Sequence, residues 1–266
     1  MEFKNLILEI DKRGVATLTL NKPQRHNAFD DAMITELFDA FHLLAAHKSV
    51  RAVILKGAGK SFSAGADLDW MKRAAGYSKS ENEADANRLS DMLNALRTLP
   101  CPVIALVHGA VMGGATGLVS CADVTFATKD AFFAISEVRL GLIPATISPY
   151  VIAAIGERQA RRYMLTGERF DADTAKAIGL VHEVVASSAV MTSVVNKFIE
   201  VLLQTGPEAV AATKQLIMDV TGRSVTDKLR AETAARIAKV RAGDEAREGL
   251  AAFLEKRKPS WRASDG

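Results

Sequence analysis

The sequence predicts an α/β fold, and three observations carry that prediction. Short β-type runs alternate with amphipathic helical stretches as far as Val185. A glycine-rich turn joins an apolar strand to a small-residue helix near the centre of the chain. Beyond Ile147 the pattern becomes mostly helical. With 266 residues, 48% of them hydrophobic and 24% charged, the chain can bury a substantial core and still append a helical segment.

Taken in order, Phe3 to Ile10 and Val15 to Leu20 read as strands joined by the turn Asp11-Lys12-Arg13-Gly14. Met33, Ile34, Leu37, Phe38, Phe41 and Leu44 follow helical spacing, with Asp30 or Asp31 placed as the N-cap. Val50 to Leu55 is the next strand, Gly57 to Gly65 a loop, and Asp67 opens another helix. Ser80 to Leu99 is helical and is closed by Pro100. Pro102 to Val107 reads as a strand, Gly109, Gly113 and Gly114 as a turn, and a short helix runs through Val119. Asp123 to Ala127 is a further strand. The remainder, from Tyr150 to Phe253, is mostly helical, interrupted by a strand-like Val-His-Glu-Val-Val at Val181.

The chemistry concentrates between Val103 and Pro144. A glycine turn opening a helix leaves backbone N–H groups unpaired at the positive end of the helix dipole. Such a turn can hold a carbonyl oxygen on which charge develops. The loop Ala64-Gly65-Ala66-Asp67 opens a second helix and offers a second set of donors. Glu137 stands among Phe132, Phe133, Ile135, Val138, Leu140 and Leu142, an apolar setting that favours burial and a raised pKa. Donors plus one acid point to chemistry next to a carbonyl.

Other motifs fail on inspection. Gly57-Ala58-Gly59-Lys60-Ser61 lacks the first glycine of a phosphate-binding loop, whose place falls on Ile54. Ser61-Phe62-Ser63-Ala64-Gly65 has a serine where a nucleophile elbow needs its first glycine. The five histidines show no ligand spacing, so no metal is expected. A net charge of +3 spread along the chain gives no footprint for nucleic acid. Two cysteines, Cys101 and Cys121, sit beside apolar runs and read as buried free thiols of a reducing compartment. No apolar window approaches the ~20 residues of a membrane span, and the N-terminus lacks a secretory pattern. A cytoplasmic location is expected.

Several blocks in series carry a resemblance. They are NKPQRHNAF, AVILKGAGKSFSAGADLDWM, PVIALVHGAVMGGATGLVSCADVTFA, FAISEVRLGLIP, IGERQARRYMLTGERFDADTAKAIGLVHEVV and GLAAFLEKRKPSW. In number, order and spacing they resemble the enoyl-CoA hydratase/isomerase (crotonase) superfamily along the whole chain. The resemblance implies a crotonase (ClpP-like) spiral of β-β-α units over residues 1–200 and a helical trimerisation region over 201–266. It further implies an acyl-CoA thioester as substrate, no cofactor beyond the coenzyme A carried by that substrate, and a homotrimer or dimer of trimers.

By motif position, the resemblance places the two thioester-oxygen donors on the N–H groups of Ala66 and Gly114, and the acid on Glu137. Arg25 falls in the segment that runs along the coenzyme, Ala64 on the residue facing its adenine, and Asp67 and Leu68 in the adjoining substrate-binding loop. Phe253 and Lys256 match residues that reach a neighbouring subunit's coenzyme. One departure stands out: hydratases of the family usually carry a second glutamate, and its place falls on Gly117. Two activities therefore stay open, hydration managed by Glu137 and double-bond isomerisation by Glu137 alone. A non-catalytic acyl-CoA- or RNA-binding role is a third class. The stretches SEVRLGLIPATISPYV and IGERQARRYMLTGERF are similar to bacterial 3-methylglutaconyl-CoA hydratases. An acyl chain of that kind bears a distal carboxylate and needs a cation, for which Lys72, Arg73 and Arg139 are candidates; Ser148 and Tyr150 are candidates for lining the acyl pocket.

Overall fold

The structure is a computed structural model, and it describes residues 3–262. The chain begins with strands β1 (Leu6–Ile10) and β2 (Val15–Leu20), helix α1 (Asp31–Ala46), strand β3 (Ala52–Gly57) and helices α2 (Leu68–Ala74) and α3 (Lys79–Arg97). Strands β4 (Val103–Val107) and β5 (Ala110–Met112), helix α4 (Gly114–Cys121) and strands β6 (Val124–Thr128) and β7 (Phe132–Ala134) form the middle. Helix α5 (Ser148–Thr166), strand β8 (Phe170–Asp171), helix α6 (Ala172–Ala177) and strand β9 (Glu183–Val185) follow. The chain ends in helices α7 (Ser188–Leu202), α8 (Pro207–Val220), α9 (Asp227–Arg241) and α10 (Asp244–Leu254).

Six strands make the main sheet in the order β1-β2-β3-β4-β6-β9, antiparallel only at β1–β2. The parallel strands are apolar on both faces because both are covered, as their continuous hydrophobic runs require. Leu18, Leu20, Val53, Leu55, Val103, Ala105 and Val107 face a core filled by α1, α3, α4 and α5. The alternate residues Val15, Ala52, Ile104 and Phe126 face Met191, Val195 and Ile199 of α7. In α1, Met33, Ile34, Leu37, Ala40, Phe41 and Leu44 form the buried stripe, each of the larger side chains stabilising by roughly 1.5–3 kcal/mol.

A second, smaller ladder runs beside the first. Ser63 bridges Val111, Val111 pairs with Phe133 in β7, and Phe133 pairs with Phe170 in β8. Successive turns of the chain thus add one long strand to the main sheet and one short piece to this ladder. Since β3 and β4 run parallel, with Lys56 opposite Leu106, the segments leaving them emerge at the same edge. That edge positions the site.

The structure differs from the sequence reading at several boundaries. The predicted glycine turn contains β5, a three-residue strand that is too short to show a period. The strand predicted from Asp123 starts at Val124, because Asp123 turns its carboxylate back onto the Val103 N–H at 2.7 Å. The first strand begins at Leu6, after Glu36 has tied down the N–H groups of Lys4 and Asn5. Near the end of the mostly helical region predicted from Tyr150 to Phe253, the chain breaks at Gly243, the N-cap of α10. Asp30 rather than Asp31 caps α1, accepting from the Met33 N–H at 2.9 Å. No helix among the described residues is long and apolar enough to cross a membrane.

Candidate active site

The loop after β3 is held from beneath by Asn27, which is fully buried. Its amide nitrogen donates to the carbonyls of Ala58, Ser61 and Phe62 at 2.8, 2.9 and 3.1 Å, and its oxygen accepts from the Lys22 N–H at 2.8 Å. The loop then runs parallel to the segment before α1. Phe29 donates to the Gly65 carbonyl and accepts from the Asp67 N–H, both at 2.7 Å. These two bonds flank Ala66, whose own N–H has no partner among the described residues. Gly65 has φ +84°, and a Cβ there would lie 2.7 Å from the Met112 carbonyl oxygen, so only glycine fits the approach.

The second donor opens α4. Gly113 donates to the Ala134 carbonyl at 2.8 Å and accepts from Thr116 at 2.9 Å. The N–H of Gly114, at the first helical position, has no partner among the described residues, as helix geometry dictates. A Cβ on Gly114 would touch the Phe29 ring at 3.4 Å. Phe29 therefore brackets Ala66 with its backbone and abuts Gly114 with its ring, so both residues neighbour the same phenylalanine.

Glu137 starts a single 3-10 turn, Glu137–Leu140, just after β7. Its carboxyl lies over the glycine turn, with Oε1 3.2 Å from where a Cβ of Gly113 would stand. Gly113 has φ +51° and ψ −121°, a conformation open to glycine, and the absent side chain makes room for the acid. Oε2 is buried without a hydrogen-bond partner among the described residues, and burial pushes the carboxyl above its ordinary pKa.

Gly117 lies one turn further along α4. A Cβ there would stand 2.4 Å from Cγ2 of Ile147 and 3.5 Å from Leu93. Both apolar side chains are buried, so the wall at this position is closed by Ile147 from the start of α5. That closure was invisible in the sequence, where Ile147 is one aliphatic residue among many.

The other sequence-predicted residues are dispersed. Arg25 pairs with Asp69 at 2.7 Å on the exposed surface, and Leu68 is exposed beside it. Ala64 donates its N–H to the His26 carbonyl at 2.9 Å. The Asp67 side chain turns inward: Oδ1 caps α2 through the N–H groups of Asp69 and Trp70, and Oδ2 lies 3.4 Å from Lys22 Nζ. Burial would raise the Asp67 carboxyl, but those two N–H groups and the Lys22 ammonium outweigh it and hold it below its ordinary pKa. Phe253 and Lys256 sit at the exposed end of α10, Phe253 at 80% exposure. Lys72 pairs with Asp69 and Arg73 with Asp31, whereas Arg139 donates to the Thr166 carbonyl at 3.4 Å. No group of three acidic, histidine or cysteine side chains among the described residues is arranged to hold a metal.

Sequence reasoning missed Lys22, Asn27 and Ile147. Asn27 and Lys22 do lie in the block NKPQRHNAF, but their roles depend on partners at distant positions.

Comparison with known proteins agrees with this architecture. A profile of the enoyl-CoA hydratase/isomerase family matches residues 11–264. A putative enoyl-CoA hydratase of Thermus thermophilus is 32% identical over 255 residues, covering 96% of this chain and 100% of that protein. The crystal structure of an enoyl-CoA hydratase from Shewanella pealeana superposes with a TM-score of 0.95 at 41% identity, covering 98% of this chain and 97% of the other. A Δ(3,5)-Δ(2,4)-dienoyl-CoA isomerase of Dictyostelium discoideum is 29% identical over 273 residues, covering 99% and 93% of the two chains. With the profile match spanning nearly the whole chain and the fold shared throughout, this protein is a member of the enoyl-CoA hydratase/isomerase family and an enzyme of the crotonase superfamily.

Proposed function

We propose that the enzyme adds water across the double bond of an α,β-unsaturated acyl-CoA, using Ala66 and Gly114 as thioester-oxygen donors and Glu137 as the acid–base group. The observation that carries this reading is the half-buried Glu137 carboxyl lying over Gly113, its Oε2 enclosed and without a partner among the described residues, beside a Gly114 N–H that is likewise unpaired among them. As the carboxylate, Glu137 takes a proton from water while the water oxygen bonds to C3 and the C2–C3 π pair moves into the thioester. The resulting enolate oxygen is held by the two N–H groups. The protonated carboxyl then gives its proton to C2, so one water has been added and Glu137 is restored. A half-buried carboxyl with a raised pKa suits both halves of that exchange.

For the acyl group, a branched glutaconyl chain such as 3-methylglutaconyl is the first candidate, supported by the sequence around Glu137. Of the three cations considered for its distal carboxylate, Lys72 and Arg73 are already paired with acids. Arg139, two residues from Glu137, is the remaining choice. The substrate is carried on coenzyme A rather than an acyl carrier protein in this reading. Arg25, Ala64, Asp67 and Leu68 are the proposed contacts, with Phe253 and Lys256 supplied across a trimer interface.

A second reading is favoured by one observation. The position where a second acid would stand is Gly117, closed by Ile147 and Leu93. With a single titratable group, Glu137 could take a proton from C2 of a 3-enoyl-CoA and return it to C4, moving the double bond without water.

Incubation of wild type and Glu137→Gln with crotonyl-, 3-methylglutaconyl- and a 3-enoyl-CoA in H₂¹⁸O separates the two. Label entering the 3-methylglutaconyl product, with the rate reduced on the order of 10²–10³-fold in the variant, is the expected outcome. Migration of the 3-enoyl double bond without label would establish the isomerase instead.

A further inference from the structure

We propose that Lys22 is a positioning residue for the Ala66 donor, its ammonium clamping together the two backbone segments that present that N–H. The inference rests on the reading of Ala66 as a thioester-oxygen donor and goes beyond it by naming what holds the donor in place.

The geometry is specific. Phe29 and Ala66 face each other across a two-bond parallel bridge, and the residues immediately after them are Asp30 and Asp67. Lys22 Nζ lies 2.5 Å from Asp30 Oδ2 and 3.4 Å from Asp67 Oδ2. Each carboxylate uses its other oxygen as a helix N-cap, Asp30 for α1 and Asp67 for α2. One cation therefore joins the bridge at the end where Asp67 donates its last hydrogen bond, and ties it to two helix starts. The stem of Lys22 is itself fixed: its N–H donates to Asn27 and its carbonyl accepts from the N–H groups of Arg25 and Asn27.

The three side chains are well shielded, at 21, 21 and 7% exposure for Lys22, Asp30 and Asp67, so solvent screens them less than surface ions. Without the cation, two carboxylates would be left facing each other beside the place where negative charge gathers on the substrate oxygen. Their repulsion would open the bridge at Asp30 and Asp67, and their uncompensated charge would oppose the enolate. Both effects act on the transition state more than on the bound ground state. The clamp is thus expected to appear in kcat.

The test uses the full-length enzyme with a saturated, unreactive acyl-CoA carrying ¹³C at the thioester carbonyl. Isotope-edited infrared difference spectra report the carbonyl stretch on binding to wild type, Lys22→Met, Lys22→Arg and Asp67→Asn, alongside kcat and KM on the reactive substrate. The wild-type stretch should move to lower frequency. Lys22→Met should lose most of that movement and lower kcat on the order of 10²-fold with KM little changed. Lys22→Arg should recover both in part, and Asp67→Asn should fall between. If Lys22→Met does not fold, Asp67→Asn and Lys22→Arg decide on the same two readouts. A full carbonyl shift and wild-type kcat in Lys22→Met, or in Asp67→Asn where that variant must decide, would overturn the clamp alone. A wild type that binds the thioester without any shift would overturn the donor reading and the clamp with it.

Discussion

Glu137 and Asp67 are both acids beside the same glycine-rich turns, yet their surroundings push them in opposite directions. Asp67 collects two N–H groups and an ammonium and stays ionised, whereas Glu137 is half-buried, with Oε2 enclosed and meeting no donor among the described residues. The acid limb of kcat/KM should therefore lie above the ordinary glutamate value of 4.5, and pH–rate profiles of the wild type would show it. Stability carries the same signature. A carboxyl whose folded pKa is raised contributes stability below its unfolded pKa and loses it as pH rises through the folded value. Glu137→Gln should accordingly melt higher than wild type at neutral pH, with the advantage vanishing as pH falls below 4.5, read by thermal unfolding across that range. At this scale the partial burial and raised pKa of Glu137 were legible in the sequence, because the acid stands in an apolar run. Lys22 was not, because its two partners lie 8 and 45 positions away.

Helix α4 shows how one element serves packing and chemistry together. Its first residue offers a free N–H, and its next turn carries Gly117 against Ile147 at the start of α5. Adding even a methyl group there forces Ile147 aside. Gly117→Ala should cost roughly 1–3 kcal/mol in urea unfolding, and Ile147→Ala in the same chain should relieve the overlap, giving a favourable coupling in a double-mutant cycle. Gly117→Glu alone should be worse still, since it adds volume and a buried charge. Gly109, Gly113 and Gly117 stand four apart in the sequence, a spacing that reads as close helix packing. The side chain that makes the approach, and so forbids a second acid, is a matter of tertiary packing. The three-residue strand β5 escaped notice for a related reason: its pairing with β7, and not its own pattern, makes it a strand.

For the molecule as a whole, the join between the sheet and the C-terminal helices depends on a shielded ion pair. Lys214 of α8 reaches Asp123 Oδ2 at 2.7 Å and the Cys101 carbonyl at 3.1 Å, and Asp123 in turn accepts the Val103 N–H. Lys214→Met should lower stability by roughly 1–3 kcal/mol, because it leaves a partly buried carboxylate without its cation; chemical denaturation would measure it. In the C-terminal region Val225, Phe253 and Leu254 are 81, 80 and 77% exposed in the single chain. We propose that a trimer, or a dimer of trimers, covers them. Light scattering should give the mass of three or six chains, and Phe253→Ser should shift it toward the monomer.

The alternation of strands and helices, the buried stripe of α1, a cap for that helix at Asp30 or Asp31, the helix start at Asp67 and the apolar setting of Glu137 were determined by the sequence itself. Each follows from local periodicity, local hydrogen bonding or the rarity of a charge in apolar company. Only the tertiary structure decided that Ala66 and Gly114 both neighbour Phe29, that Gly113 makes room for Glu137, that Ile147 closes the wall at Gly117 and that one lysine joins two helix caps. These are contacts between residues far apart in the chain, set by parallel strand register and by the direction in which buried side chains pack. Neither leaves a period or a spacing in the sequence from which it could be read.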